Sequence, residues 1–321
     1  MVLHPMRHFL FRSLGLALAI MAAERTSVAE LPSSETVKAV QLFTVPSYCE
    51  GVVFDKEGRG YVSWGKSITR FTLDGKNEVW AETGAPNGHK ILADGTHLVC
   101  DASRHAVLHL SADGKLLPDA SKECNGKPLR GPNDLTLDAP NGGFYFTDPG
   151  ESGKEKPIGT VHYVDKEGKT HLVDDGYAFS NGIVLTPDGK KLYVAESQHN
   201  RVWVYDVTGP GKTANKRLFV DLPKKEAAAG QIDNQPDGMC LDKAGNLYVA
   251  HYGMRQVQVV SPEGKIVARY PGGNLTTSNV AFGGPDRNQL FVTGALGDEK
   301  SPQGGIFRLD LGVEGLRILP N

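Results

Sequence analysis

This chain is poor in the features that mark several common protein classes. Its 321 residues hold four cysteines, Cys49, Cys100, Cys124 and Cys240, with no CxxC pair and no His/Cys spacing of a zinc site. It also has no charge excess: 35 basic against 37 acidic residues leave a net charge of −2, which excludes a broad basic field for nucleic acid. No GxSxG accompanies Ser180 or Ser278, so neither reads as an esterase nucleophile. No linker divides the chain into separate domains. The longest apolar stretch, Ser13 to Ala23, is too short to span a bilayer. What it does have is 38 Gly and 19 Pro, spread along the chain as turn residues.

That apolar stretch follows Arg7 and Arg12 and precedes Ser27-Val28-Ala29, the layout of a secretory signal peptide over residues 1–29. The expectation is an exported protein, periplasmic or extracellular, with no membrane span once the leader is removed. Export would permit disulfides, and Cys100 with Cys124 is the pair to test first, although buried single thiols are the default.

Six segments repeat one phrase: "EGVVFDKEGRGYVSW" from Glu50, "NGHKILADGTHLVCD" from Asn87, "NDLTLDAPNGGFYFTD" from Asn133, "NGIVLTPDGKKLYVAE" from Asn181, "DGMCLDKAGNLYVAH" from Asp237 and "NVAFGGPDRNQLFVTG" from Asn279. Each has a polar residue, a short apolar strand, a turn rich in Asp and Gly, and a second apolar strand. A more polar hairpin, such as "ITRFTLDGKNEVWAE", follows each one. Four strands at an average spacing of about 46 residues is the period of a propeller blade. The sequence therefore predicts an all-β, six-bladed β-propeller with four-stranded blades over residues 34–321. The strand in "ETVKAVQLFTV" should join the last blade and close the ring. The polar stretch "PKKEAAAGQIDNQ" from Pro223 is long enough to overhang one face.

In such a ring the first strand of every blade lies nearest the axis, so equivalent positions meet at one depth. Glu50, Asn87, Asn133, Asn181, Asp237 and Asn279 would then form a ring of side-chain oxygens. Two carboxylates buried together cost several kcal/mol unless a cation compensates them. An oxygen-only set favours Ca2+, with Mg2+, Mn2+ or Zn2+ as alternatives. Against this stands a plainer role, since Asn and Asp before a strand often cap turns. That plainer reading suits Asn87 and Asn279, with Asn87 also lining the channel as a substrate contact.

The phrases "EGVVFD", "PNDLTLD", "FSNGIVLTPDGKKLYVAES" and "QPDGMCLDKAGNLYVA" resemble the senescence marker protein/gluconolactonase/luciferin-regenerating enzyme family, and "GGFYFTDP" resembles its bacterial gluconolactonase branch. The resemblance covers nearly all of the chain after the leader. It implies a divalent metal, usually calcium, held at the propeller axis by Glu50, Asn181 and Asp237, with Asn133 as a fourth ligand or a substrate contact. It also implies metal-assisted hydrolysis of a lactone, a small-molecule substrate. One position departs from the animal branch: an arginine two residues before the blade-three Asn is Gly131 here, with Arg130 one place earlier.

The chemistry expected is Lewis-acid activation of a lactone carbonyl, with Asp237 as general base or as ligand alone. Second-strand ends should bring Trp64, Asp101, Asp148, Glu196, His251 and Thr293 around the mouth. His251 is a candidate substrate contact or proton shuttle there, and a hydrogen-bonded rim residue otherwise. His89 is a further candidate to reach the channel. Two other functions stay open: a non-catalytic propeller stabilised by calcium, and a metal-dependent phosphotriesterase. The oligomeric state is not legible.

Overall fold

A computed structural model describes residues 1–2, 30–225, 234–297 and 303–316. Residues 3–29 of the expected leader and most of the stretch from Pro223 to Gln235 lie outside them. Among the described residues no helix is long and apolar enough to cross a membrane.

Six antiparallel sheets follow one another along the chain. Blade one comprises Cys49–Phe54, Gly60–Trp64, Ser67–Phe71 and Asn77–Glu82, and blade two comprises Pro86–Ile91, His97–Asp101 and Ala106–Leu110. Blade three comprises Leu135–Asp138, Gly143–Asp148, Gly159–Val164 and Thr170–Tyr177. Blade four runs from Ser180–Leu185 to Lys212–Asp221, and blade five from Gln235–Leu241 to Ile266–Pro271. Blade six takes Thr276–Gly283, Gln289–Ala295 and Gly304–Asp310 from the end of the chain and its outermost strand, Val40–Val45, from the beginning. The six-bladed all-β architecture is the one the repeats predict.

Blade two departs from the expected four strands. After Leu110 the chain makes only isolated bridges, Leu110 with Leu116 and Val107 with Ser121, and then a small hairpin of Glu123–Cys124 with Lys127–Pro128. Pro118 has no N–H to donate to a ladder, so a continuous fourth strand cannot form through it.

The core is divided among the blade interfaces. Six apolar clusters form, one for each pair of adjacent blades; Val52, Val62 and Phe71 of blade one, for example, pack on Phe291 and Ile306 of blade six. This follows from the alternation of each strand: successive side chains face opposite neighbours, and both faces of every blade are covered. All four cysteines are free thiols. Cys100 is buried in the cluster between blades two and three, while the Cys124 thiol approaches the Thr170 carbonyl at 3.7 Å.

Closure depends on the Val40–Val45 strand, which pairs from Val40 with Arg308 to Val45 with Gly304. Its Phe43 and Val45 are buried in the cluster between blades six and one. Deleting residues 30–46 would expose the Gly304–Asp310 edge and remove those side chains, each worth about 1.5–3 kcal/mol. Against a typical stability of about 5–15 kcal/mol, the truncated chain is expected to lose its cooperative urea transition and to aggregate on size exclusion; a native-like transition would show that closure is dispensable.

Between blades one and two lies a buried pair, His89 Nε2 to His97 Nδ1 at 2.8 Å, packed against Tyr61 and Trp80. His89 therefore faces the blade interface and not the channel. Burial pushes His97 down to about 4 and His89 well below its ordinary value. The unfolded chain binds these protons near pH 6.5 while the folded one does not. Their contribution to stability is thus complete above pH 6.5 and lost as pH falls towards 4. His97→Gln should flatten the acid limb of a stability-versus-pH series by about one proton, or about 1.4 kcal/mol per pH unit; an unchanged limb would refute the assignment.

Candidate functional site

The axial ring is built by one local device used repeatedly. In blades one, two, four and five a glycine follows the ring residue: Gly51, Gly88, Gly182 and Gly238. A Cβ on Gly51 would stand 1.9 Å from the Asn87 carbonyl, one on Gly88 2.7 Å from the Asn133 carbonyl, and one on Gly182 2.1 Å from the Asp237 carbonyl. A Cβ on Gly238 would likewise meet the Asn279 side chain at 2.4 Å. Each glycine thus lets the next blade's ring residue close in on the axis, which is why "EG", "NG" and "DG" recur. Register irregularities after Glu50, Pro86, Ser180, Pro236 and Thr277 mark the same level in five inner strands. Such bulges re-aim side chains that a regular pleat would send between blades.

Glu50, Asn181, Asp237 and Asn279 are buried, whereas Asn87 and Asn133 are partly exposed. The ring is accordingly most accessible on the side of blades two and three. The charge of Glu50 reaches Asp237. Burial raises both carboxyls well above the usual range; Asp134 adds to the rise in each, and Glu50 adds to that of Asp237. Asn279 spends its Oδ1 on the Val280 N–H at 2.9 Å, the capping role expected of it.

Two groups set the orientation of the ring. The Tyr48 hydroxyl donates to Glu50 Oε1, leaving Oε2 buried without a partner. The Asn181 amide donates to Ser197 Oγ at 3.1 Å, and Ser197 donates to the Pro236 carbonyl at 2.7 Å. Asn181 Oδ1 is left buried and unpartnered as well. One orphaned oxygen on Glu50 and one on Asn181, with the buried carboxyl of Asp237 whose rise Glu50 adds to, make a set of oxygen donors whose hydrogen-bonding capacity is unmet. No group of three His, Cys, Asp or Glu side chains is arranged to hold a metal among the described residues. Any ion at the axis would therefore rest on two acids and amide carbonyls, and such hard oxygen donors fit Ca2+.

The second-strand ends do other work than the sequence suggests. Asp101 accepts from the Gly84 and Ala85 N–H groups at 2.7 and 2.9 Å, and Asp148 from Gly131 N–H at 2.7 Å and Arg130 N–H at 2.9 Å. Glu196 accepts from Ala178 N–H at 2.9 Å and from Arg201 and Trp203. These acids clamp the loops that enter their blades, whose N–H groups would otherwise lack partners, and all three are buried. Trp64 donates to Thr69 at 2.8 Å, and Thr293 bonds Ser278 at 3.0 Å. His251 is wholly buried, with Nε2 on Asn200 at 2.9 Å and Nδ1 on Gln258 at 3.2 Å; burial lowers it to about 3. The structure makes it a buried, hydrogen-bonded residue and not an exposed one at the rim. Arg130 donates to the Ile158 carbonyl and lines a cavity of about 410 Å3 on the flank of blade three with Lys127, Thr160 and His162.

Sequence reasoning missed Tyr48, Ser197 and Asp134. The first two lie outside the repeat pattern and carry no signal in it. Asp134 had one: it stands where four other blades have the glycine after the ring residue. It is buried, and its charge adds to the upward push on both Glu50 and Asp237.

Fold and site together define a six-bladed propeller with an oxygen-donor hub open on one side. The chain belongs to the SMP-30/Gluconolactonase/LRE-like family, whose sequence profile matches residues 48–296. It is 30% identical to a diisopropyl-fluorophosphatase from Loligo vulgaris over 82% of this chain and 90% of that one. It is likewise 30% identical to a gluconolactonase from Zymomonas mobilis, over 64% of this chain and 60% of that protein. Among solved structures, regucalcin from Agrobacterium tumefaciens, a calcium-binding protein, shares the fold at a TM-score of 0.72 and 22% identity, covering 87% of this chain and 95% of that one.

Proposed function

We propose that this protein is a lactonase that depends on a divalent cation, Ca2+ before Mg2+, Mn2+ or Zn2+, at the propeller axis. The observation that carries the reading is the pair of buried, unpartnered oxygens, Glu50 Oε2 and Asn181 Oδ1, beside the repelled carboxylate of Asp237. Glu50, Asn181 and Asp237 would hold the ion, with Asn133 as a fourth ligand or a substrate contact. When bound, the ion supplies Lewis-acid polarisation of the ester carbonyl. Tyr48 keeps Glu50 turned, and Ser197 keeps the Asn181 carbonyl oxygen free. The partly exposed Asn87 and Asn133 mark the side from which a substrate reaches the ring. Asp237 is the carboxylate placed to accept a proton from an attacking water. The gluconolactonase and calcium-binding relatives support this reading.

A second reading, phosphotriester hydrolysis at the same hub, is favoured by the relative matched over most of both chains, the diisopropyl-fluorophosphatase. The leader over residues 1–29 supports export of either enzyme. The test is turnover of a lactone panel and of diisopropyl fluorophosphate, before and after EDTA and with Ca2+ restored. Lactone opening that disappears with EDTA and returns with Ca2+ is expected. Metal-independent opening would overturn the proposal, preference for the fluorophosphate would select the second reading, and a calcium-loaded protein inert to both would mark a binding propeller.

A further inference from the structure

Three residues after each ring position, the inner strands carry Val53, Lys90, Thr136, Val184, Cys240 and Phe282. Lys90 is the one charged residue in that set. Its Nζ lies 4.0 Å from Asp134 Oδ1, with its side chain 15% exposed and that of Asp134 3% exposed. It also donates to the His89 carbonyl at 3.2 Å. Its charge is felt by Cys100 on its own blade and by Cys240 on blade five, across the ring. Asp134 follows the ring residue Asn133, and a Cβ on Gly88, next to the ring residue Asn87, would stand 2.5 Å from Asp134 Oδ1, so the Lys90–Asp134 pair lies at the level of the ring. Asp134, in turn, acts on both Glu50 and Asp237. Asp134 is thus paired with Lys90 on one side and raises both ring acids on the other.

With the carboxylates ionised, these four groups carry three negative charges and one positive. The remaining two negative charges match a divalent ion. Without Lys90 they would match a trivalent one. We infer that Lys90 sets the charge of the axial site and thereby its preference for a divalent over a trivalent cation. The inference rests on the axial cation site proposed above and assigns Lys90 a role in specificity, not in the chemical step. A unit charge acting over about 10 Å at an effective dielectric of about 20 changes the relative affinity of ions differing by one charge roughly tenfold.

The experiment measures Ca2+ affinity by calorimetry and Tb3+ affinity by sensitised luminescence for the full chain, Lys90→Gln and Asp134→Asn, with folding of each checked by circular dichroism. Lys90→Gln should raise the ratio of Tb3+ to Ca2+ affinity roughly tenfold. Asp134→Asn should lower it by a similar factor. A folded Lys90→Gln protein whose ratio stays within about twofold of the parent overturns the inference. If that variant does not fold, an unmoved ratio in Asp134→Asn does the same. A parent chain that binds Ca2+ normally while the variants leave the ratio unchanged removes the role of Lys90 alone. A parent chain that binds neither ion removes the axial cation with it.

Discussion

Asp237→Asn is expected to lower lactone hydrolysis at least ~100-fold, the scale on which preorganised charge is worth most in a buried site. The substitution keeps the shape of the side chain and the neighbouring Gly182, which packs on the Asp237 carbonyl, but removes one of the two ring carboxylates. Measuring Ca2+ affinity on the same protein separates the two roles of Asp237. Activity lost with affinity retained would assign it the proton, whereas loss of both would assign it the ion. Full activity with the ion bound would eliminate it as a base.

The second large effect concerns stability. Glu50 and Asp237 are desolvated next to each other and to Asp134, an arrangement that works against folding when nothing compensates it. A cation that binds only the folded ring stabilises it by about 2.7 kcal/mol at a concentration 100-fold above its Kd. For a domain of this size that corresponds to a rise of roughly 4–5 °C in Tm. EDTA is expected to remove the rise and Ca2+ to restore it, followed by calorimetry or near-UV circular dichroism. Glu50→Gln should show the opposite balance. Its metal-free form should melt higher than the metal-free parent, because one buried charge is gone, and Ca2+ should add little. A parent protein whose Tm ignores both EDTA and Ca2+ would leave the hub without its ion.

Most of the architecture was legible because it depends on local rules repeated six times. The turn in "TPDGKK" needs a left-handed residue, and Gly189 adopts φ +68° there while its N–H bonds the Thr186 carbonyl at 2.8 Å. The same chemistry in each repeat produces the same hairpin, and equivalent hairpins around an axis must bring equivalent residues to one depth. The ring residues and the closing strand follow from that geometry. Blade two shows the limit: its phrase matches the others up to Leu110, after which Pro118 and the looped chain to Ser121 break the pattern.

The roles of individual polar groups were another matter. Asp101, Asp148 and Glu196 share one position in the repeat, and nothing in that position reveals that each is consumed by the N–H groups of a loop some 16–18 residues upstream. His251 meets Asn200, 51 residues away, and Ser197 meets Pro236, 39 residues away. Such partners are chosen by packing between blades, which a pattern of strands and turns does not encode. The sequence by itself determined the propeller and its closure, since these rest on periodicity. Only the tertiary structure decided which oxygens are left without partners, which acids are spent on loops, and that Lys90 approaches Asp134, because each depends on a hydrogen bond or a charge reaching across from a distant strand.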